Sequence, residues 1–427
     1  MSSIQTDSAD AQVSMVAGLT VHWHTDLAEI DAMQWDALTE GVEGGGPFLR
    51  LAFLRAMVDS GSACPDSGWH PLLLTVQDGQ GRILAGSPLF VKEHSYGEYV
   101  FDWAWADAHD RALASQGAQY YPKLLSASPF SPIPGQRLLV RPDMPADLPA
   151  DIQMALRAQL LSAIEARCVA QGWSSAHALF VSESEAQLAE RAGWLRRSGV
   201  QFHWENRAEA PYIDFEDFLA SLQRDKRKKI QQERRKVREA GIEFVIRQGA
   251  ELTQDDWDFF YRCYAQTYLE RGRQPYLTRD FWQRVSEALP EHWVLFTALQ
   301  GGTPVASALL AIDPVRRVAY GRYWGAVAQV SCLHFEACYY QPLAWCIAQD
   351  YRRFEGGAQG EHKLARGLLP VATQSVHWLA HPGLRDAVAR FLDRESQGIG
   401  QYLEHLDARA PFKIDPDMDA GQHDELP

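Results

Sequence analysis

Residues 72–91, LLLTVQDGQGRILAGSPLFV, set two apolar runs on either side of a DGQG turn, the pattern of a β-hairpin. Residues 294–312, VLFTALQGGTPVASALLAI, repeat that plan around QGG. A helical segment precedes each hairpin, FLRAMVDSG at 53–61 and FWQRVSEAL at 281–289. A tyrosine-glycine frame follows each, Tyr96-Gly97-Glu98-Tyr99 and Tyr320-Gly321-Arg322-Tyr323, and then a tyrosine pair, Tyr120-Tyr121 and Tyr339-Tyr340. Matches in one order along the chain predict an internal repeat.

Apolar periodicity predicts helices over 150–171, 183–192, 214–240, 253–268, 278–289 and 332–351, and strands over 176–181, 200–204, 242–247, 317–324 and 353–357. Helices alternating with strands and a hairpin describe two α/β units. The expected division is a disordered tail at 1–18, a first unit at 19–207, a second at 208–408 carrying a basic helix, and an acidic disordered tail at 409–427. The junction falls at ENRAEAPY, residues 205–212.

Composition narrows the class. The chain has 427 residues, 46% of them apolar, which suits a packed globular protein. Its net charge of −14 argues against wholesale binding to DNA or an anionic membrane, so any such contact is local. Six cysteines without a CxxC pair indicate neither a zinc ribbon nor a disulfide framework. The first twenty residues lack a secretory pattern and no stretch has about 18 consecutive apolar residues, so a cytoplasmic protein without an integral membrane segment is expected.

Several segments resemble those of the FemAB-like group of bacterial proteins assigned to peptidoglycan biosynthesis or recognition. They include the stretch at 69–109, YYPKLLSASPFSPIPGQRLL at 120–139, DKRKKIQQERRKV at 225–237, YGRYWG at 320–325, LHFEACYYQ at 333–341 and FEGGAQGEHKLARGLLPV at 354–371. The resemblance extends from about residue 45 to 395 and implies two tandem GNAT (acyl-CoA N-acyltransferase-like) domains with mixed central sheets. It further implies transfer of an acyl or aminoacyl group to an amine. No cofactor is expected to stay bound; acyl-CoA or aminoacyl-tRNA would serve as co-substrate, with a small molecule or a peptidoglycan precursor as acceptor. The alternatives are a CoA-dependent N-acetyltransferase and a non-catalytic binder of peptidoglycan precursor or tRNA.

Such chemistry needs a proton acceptor, oxyanion donors and cations for donor phosphates. The densest supply is EGGAQGEHKLARG at 355–367, where Glu361, His362, Lys363 and Arg366 follow three glycines. Lys363 is one of only eight lysines among 41 basic residues, and by order along the chain it matches the site lysine of Fem-type relatives. Tyr323 is a candidate oxyanion donor, and Arg322, Tyr339 and Trp103 are candidate substrate contacts. Arg322 and Gly325 also suggest a degenerate GNAT phosphate loop. His334 and Glu336 lie two apart and share no helix face, so no metal site is expected; Glu336 has two readings, offsetting the helix dipole or acting as a general base.

Residues 224–238, RDKRKKIQQERRKVR, carry a local +7 against −21 for the rest of the chain. Phe215, Leu219, Leu222, Ile230 and Val237 recur at helical spacing, so this is a basic amphipathic helix. Lys226, Arg227 and Lys229 are its candidate ligand contacts. A solvated face, a wall for a pyrophosphate or CoA-like group, and a tRNA landing strip are the three readings. A tRNA titration across several salt concentrations separates them: a steep loss of affinity with salt marks the third, and a flat response removes it.

Overall fold

The computed structural model describes residues 12–13, 18–40, 42, 44–113, 117–144, 151–357 and 360–413. The first half of the chain contains strands β1 (Gln12–Val13), β2 (Thr20–His24), β3 (Trp69–Pro71), β4 (Leu73–Gln77), β5 (Ile83–Ser87), β6 (Leu89–Lys92), β7 (Lys123–Ser126), β8 (Leu139–Val140), β9 (Ser175–Val181) and β10 (Leu195–Glu205). Its helices are α1 (Ala32–Thr39), α2 (Leu51–Asp59), α3 (Trp103–Leu113), α4 (Ile152–Gln171) and α5 (Glu183–Arg191). The second half adds β11 (Ile242–Gln248), β12 (Trp293–Gln300), β13 (Thr303–Asp313), β14 (Val318–Ala326), β15 (Arg353–Glu355) and β16 (Leu369–Leu379). Its helices are α6 (Phe215–Ser221), α7 (Arg224–Glu239), α8 (Gln254–Leu269), α9 (Arg279–Ala288), α10 (Leu333–Phe335), α11 (Gln341–Ala348) and α12 (Pro382–Asp407).

Both predicted hairpins form, but they are built differently. β12 and β13 run side by side in one sheet. The corresponding run at 83–92 breaks at Pro88, which has no N–H to offer a ladder. As a result β5 belongs to a five-stranded sheet, in order β1-β2-β4-β5-β8, and β6 to an eleven-stranded one.

The larger sheet runs β11-β12-β13-β14-β15-β10-β16-β9-β7-β6-β3. Its centre has approximate two-fold character. β14 and β15 are parallel and β10 lies antiparallel beside β15; β7 and β9 are parallel and β16 lies antiparallel beside β9. β10 and β16 pair with each other over nine positions, from Leu195↔His377 to His203↔Leu369. Each half's last strand therefore sits next to the other half's parallel pair, and two mixed sheets become one.

This arrangement corrects part of the repeat. Tyr96-Gly97-Glu98-Tyr99 lies in an irregular loop between β6 and α3, whereas Tyr320-Gly321-Arg322-Tyr323 is within β14. Tyr120-Tyr121 precedes β7, whereas Tyr339-Tyr340 sits in a helix. The positions that correspond are β7 with β14, β9 with β15 and β10 with β16.

The helix expected over 214–240 is also two helices. Leu222 is extended and bridges Phe412, and the Gln223 amide donates to the carbonyls of Ala410 and Phe412 at 3.1 and 3.2 Å. Residues 409–413, at the start of the expected acidic tail, thus occupy the break; 414–427 lie outside the described residues, as do most of 1–18, of which Gln12–Val13 pairs with β2. Among the described residues no helix is long and apolar enough to cross a membrane.

The halves share an aromatic core, in which Phe48 packs edge-on against Tyr320 and Phe53 against Phe281. A second buried feature is polar. Lys123 Nζ donates to Asp102 Oδ2 at 2.6 Å, Glu98 Oε2 at 2.8 Å and Ser95 Oγ at 2.8 Å, and the Tyr120 hydroxyl donates to Asp102 at 2.7 Å. All five side chains are buried. Burial alone would lower the Lys123 pKa, but Glu98 and Asp102 raise it above the ordinary lysine value. Removing one partner of such a cluster strands uncompensated charge, so Lys123→Ala is expected to cost about 3–5 kcal/mol. Denaturant unfolding of the full chain measures it, and a loss under about 1 kcal/mol would show that the cluster is readily rehydrated.

Candidate functional site

β14 and β15 pair only at Val318–Tyr320 with Arg353–Glu355. β14 then continues to Ala326 while the other chain turns away through Gly356 and Gly357 to meet β10: Gly356 N–H donates to Phe202 O at 2.8 Å and Phe202 N–H to Gly357 O at 3.1 Å. A Cβ on Gly356 would come within 2.4 Å of Leu368 and 3.0 Å of Phe202 O, and Gly357 has a φ of +76°. Two glycines of EGGAQG are therefore needed for this turn. A bulge between Leu309 and Leu310 leaves Arg322 without an opposite residue in β13 and disturbs the ladder on the other side.

The parted strands leave a pocket of about 160 Å³ under the segment that joins α10 to α11. That segment, Glu336–Tyr340, is a π-turn, an insertion that redirects side chains within a helix. Trp324, His334, Cys338, Tyr339, Phe354 and Gly356 are among the lining residues. Burial, and then His362, Arg366 and Lys363, push the His334 imidazole down to about 4, so it is neutral at pH 7.

Lys363 does not line this pocket but packs against Gly356, which does. It lies in a 3₁₀ turn at Glu361–Arg366, buried, with Nζ donating to Gly357 O at 3.1 Å and its stem against Gly356. Burial pushes its ammonium down to about 8, a value at which a lysine exchanges protons near neutrality. His362 stands beside it, its Nε2 3.1 Å from the Tyr339 hydroxyl, and burial lowers its pKa. Lys363, His362 and Tyr339 are thus brought together.

The other expected residues are engaged elsewhere. Glu361 is on the surface, accepting from Tyr402 at 3.1 Å and Arg409 at 3.2 Å. Arg366 is a structural tie: it pairs with both oxygens of Glu233 at 2.8 and 3.1 Å, donates to His362 O at 2.6 Å, and lies 3.5 Å over the Phe335 ring. Arg322 and Tyr323 contribute to the pocket lining, but their polar ends reach Phe130 O, at 2.6 and 3.0 Å, in the PFSPIPG loop of the first half. That loop is a packed connection. Gly325 serves close packing, since a Cβ there would fall 1.9 Å from Cys263 O on α8, and it sits inside β14 instead of at a strand-to-helix turn. Glu336 accepts from Arg234 at 3.2 Å and Gln341 at 2.8 Å. Trp103 is half exposed in α3, stacked on Phe101 with ring centres 4.4 Å apart.

The basic helix α7 turns Ile230, Glu233 and Val237 inward. Beside it runs an open groove of about 680 Å³ lined by Lys228, Gln231, Gln232, Arg234, Arg235 and Arg238 together with Glu216 and Leu219. Lys226, Arg227 and Lys229 do not line it, and Lys226 pairs with Asp225 at 3.1 Å. The groove and the pocket share no lining residue; α7 and the Lys363 turn flank the π-turn from two sides, joined through Arg234–Glu336 and Arg366–Glu233. Sequence reasoning weighed His334 only as a metal ligand and missed Cys338, although their i, i+4 spacing already sets them on one helix face.

The architecture has known counterparts. The C-terminal domain of a putative lysylphosphatidylglycerol synthetase from Agrobacterium fabrum superposes with a TM-score of 0.50 at 10% identity, covering 86% of this chain and 97% of that one. L-PGS from Bacillus licheniformis gives 0.50 at 9% identity, over 85% and 97%. A tandem GNAT protein from the clavulanic acid biosynthesis pathway gives 0.42 at 12%, over 85% and 99%. No curated protein sequence matches the chain. One family model does, over residues 26–414 and so nearly the whole molecule, and its description is peptidoglycan biosynthesis/recognition. The chain is a member of the FemAB-like family and shares its fold with the Agrobacterium fabrum domain and with L-PGS.

Proposed function

We infer that the pocket between β14 and β15 receives the acyl arm of an activated donor and that Lys363 takes the proton released when an acceptor amine attacks it. The observation that carries this reading is a buried lysine, pushed down to about 8, whose stem packs against Gly356 in the wall of a pocket opened by two parting strands. FemAB-like membership supports an acyl or aminoacyl transferase. The amine nitrogen forms the new amide bond, the donor's thiolate or alkoxide leaves, and the amine proton passes to neutral Lys363. We favour a phosphate-bearing thioester donor such as acyl-CoA, because the pocket is small and partly apolar while cationic Arg235 and Arg238 lie on the α7 groove nearby. The acceptor in this reading is an amine, on a peptidoglycan precursor, met in the cytoplasm. The division into units at 19–207 and 208–408 belongs to the same proposal, with the second unit carrying the chemistry.

Lys363→Met should reduce transfer by about 100-fold or more, and Lys363→Arg should fail equally because guanidinium stays protonated. Wild-type rate should rise with pH through a midpoint of about 8, as Lys363 loses its proton. The stability sign differs. With the native value below that of the unfolded lysine, the unfolded state binds more protons between the two, so Lys363 destabilises at pH 7 and less so as pH rises toward 10.5. Lys363→Met should therefore melt no lower than wild type at pH 7; a marked drop would assign Lys363 a purely structural role.

For the donor, Arg235→Glu combined with Arg238→Glu should weaken acetyl-CoA binding about tenfold at low salt, the difference narrowing as salt is added. Calorimetric titration measures this. Equal affinity at every salt concentration would exclude α7 from donor binding.

A further inference from the structure

The pocket between β14 and β15 differs at its two ends. Phe296, Ala308, Leu310, Ala337, Pro342 and Phe354 line it and are buried, and all but Pro342 belong to one apolar core, so the inner end is hydrocarbon. Trp324, His334, Cys338 and Gly356 also line it and are partly exposed, which sets the mouth beside the π-turn. Burial keeps the Cys338 thiol protonated, and His334 is neutral as well.

Size sets one limit on what enters. The pocket, of about 160 Å³, is close to the roughly 150 Å³ of an apolar cavity that takes up benzene, so it holds roughly six carbon atoms. Small residues make this room: Ala308, Ala337 and Gly321, where a Cβ would stand 3.1 Å from the Phe354 ring.

Charge sets the other. Among the described residues no carboxylate lines the pocket. Glu336 in the π-turn and Glu233 on α7 are tied to Arg234 and Arg366. The charges felt inside are positive, since Arg322 is in the lining and Arg366 and Lys363 help hold His334 neutral. An ammonium carried inside would lose its water, meet no counter-ion and stand among like charges. A carboxylate fares no better: Arg322 Nη2 is already used on Phe130 O at 2.6 Å and the Tyr323 hydroxyl at 3.0 Å, and the inner end offers Phe296 and Phe354.

We propose that this pocket selects an uncharged aliphatic acyl group of up to about six carbons, with Ala308, Gly321 and Ala337 setting its length, and refuses acyl groups that carry an ammonium or a carboxylate. An aminoacyl group falls in the refused class. The proposal rests on the acyl-transfer reading in taking the pocket as the donor's, and adds which donors fit.

Calorimetric titration of the full chain at pH 7 with acetyl-, butyryl-, hexanoyl- and decanoyl-CoA, with no acceptor amine present, tests the length limit. β-Alanyl-CoA and malonyl-CoA, which end in an ammonium and a carboxylate where butyryl ends in hydrocarbon, test the charge limit. Affinity should rise about threefold per methylene from acetyl to hexanoyl and fall at decanoyl. Each charged thioester should bind at least about tenfold more weakly than butyryl-CoA. Ala337→Leu should move the preferred length to a shorter chain, and Ala308→Val, a smaller addition, should move it the same way. Equal affinity for the acetyl, butyryl and hexanoyl thioesters would overturn the proposal. So would decanoyl binding that matches hexanoyl, a charged thioester that matches butyryl, a preferred length that neither substitution moves, or no binding of any thioester. Because binding is read without an acceptor, a flat series leaves transfer standing with the acyl group held elsewhere, and failure of transfer leaves the length series measurable.

Discussion

The antiparallel pairing of β10 with β16 is the contact on which the rest of the molecule depends. It exchanges the last strand of each half, so that neither half's parallel pair is completed by its own chain segment. The exchange has a direct consequence for the candidate site. Phe202, from the end of the first half, supplies both backbone groups that pair with Gly356 and Gly357, and thereby holds the chain beyond β15 away from β14. The pocket in the second half is shaped by a strand of the first.

Local patterning carried much of this architecture. Both hairpins, the helices at 152–171, 183–191, 254–269 and 279–288, and the strands between them follow from period and turn chemistry. The break at Leu222–Gln223 did not, because Phe215, Leu219, Leu222, Ile230 and Val237 keep helical spacing across it; the interruption comes from Phe412, nearly two hundred residues away in sequence. Strand exchange is invisible for a similar reason, since β10 would read equally well beside either parallel pair. The two tyrosine-glycine frames resembled a duplication but occupy a loop and a strand.

At the site, scarcity singled out Lys363 and the glycines before it, and physical reasons for both are visible in the fold. The neighbouring charges misled because sequence proximity in a 3₁₀ turn sends side chains in different directions: Glu361 outward to Arg409, Arg366 inward to Glu233. Arg322 and Tyr323 joined the halves at Phe130 because the bulge in β14 turns both toward that face. The basic helix was legible as charge, but which residues line its groove depends on the inward trio Ile230, Glu233 and Val237.

The central claim is that this pocket carries out transfer to an amine. Incubating the pure protein with acetyl-CoA, and separately with aminoacyl-tRNA, together with a panel of small amines and amine-bearing peptidoglycan precursors, and following product mass, tests it most directly. The account predicts a mass gain of one acyl group on an amine, dependent on the thioester donor. Donor that is bound and recovered intact, with no amine modified under any pairing, would contradict it and leave the molecule a binding protein.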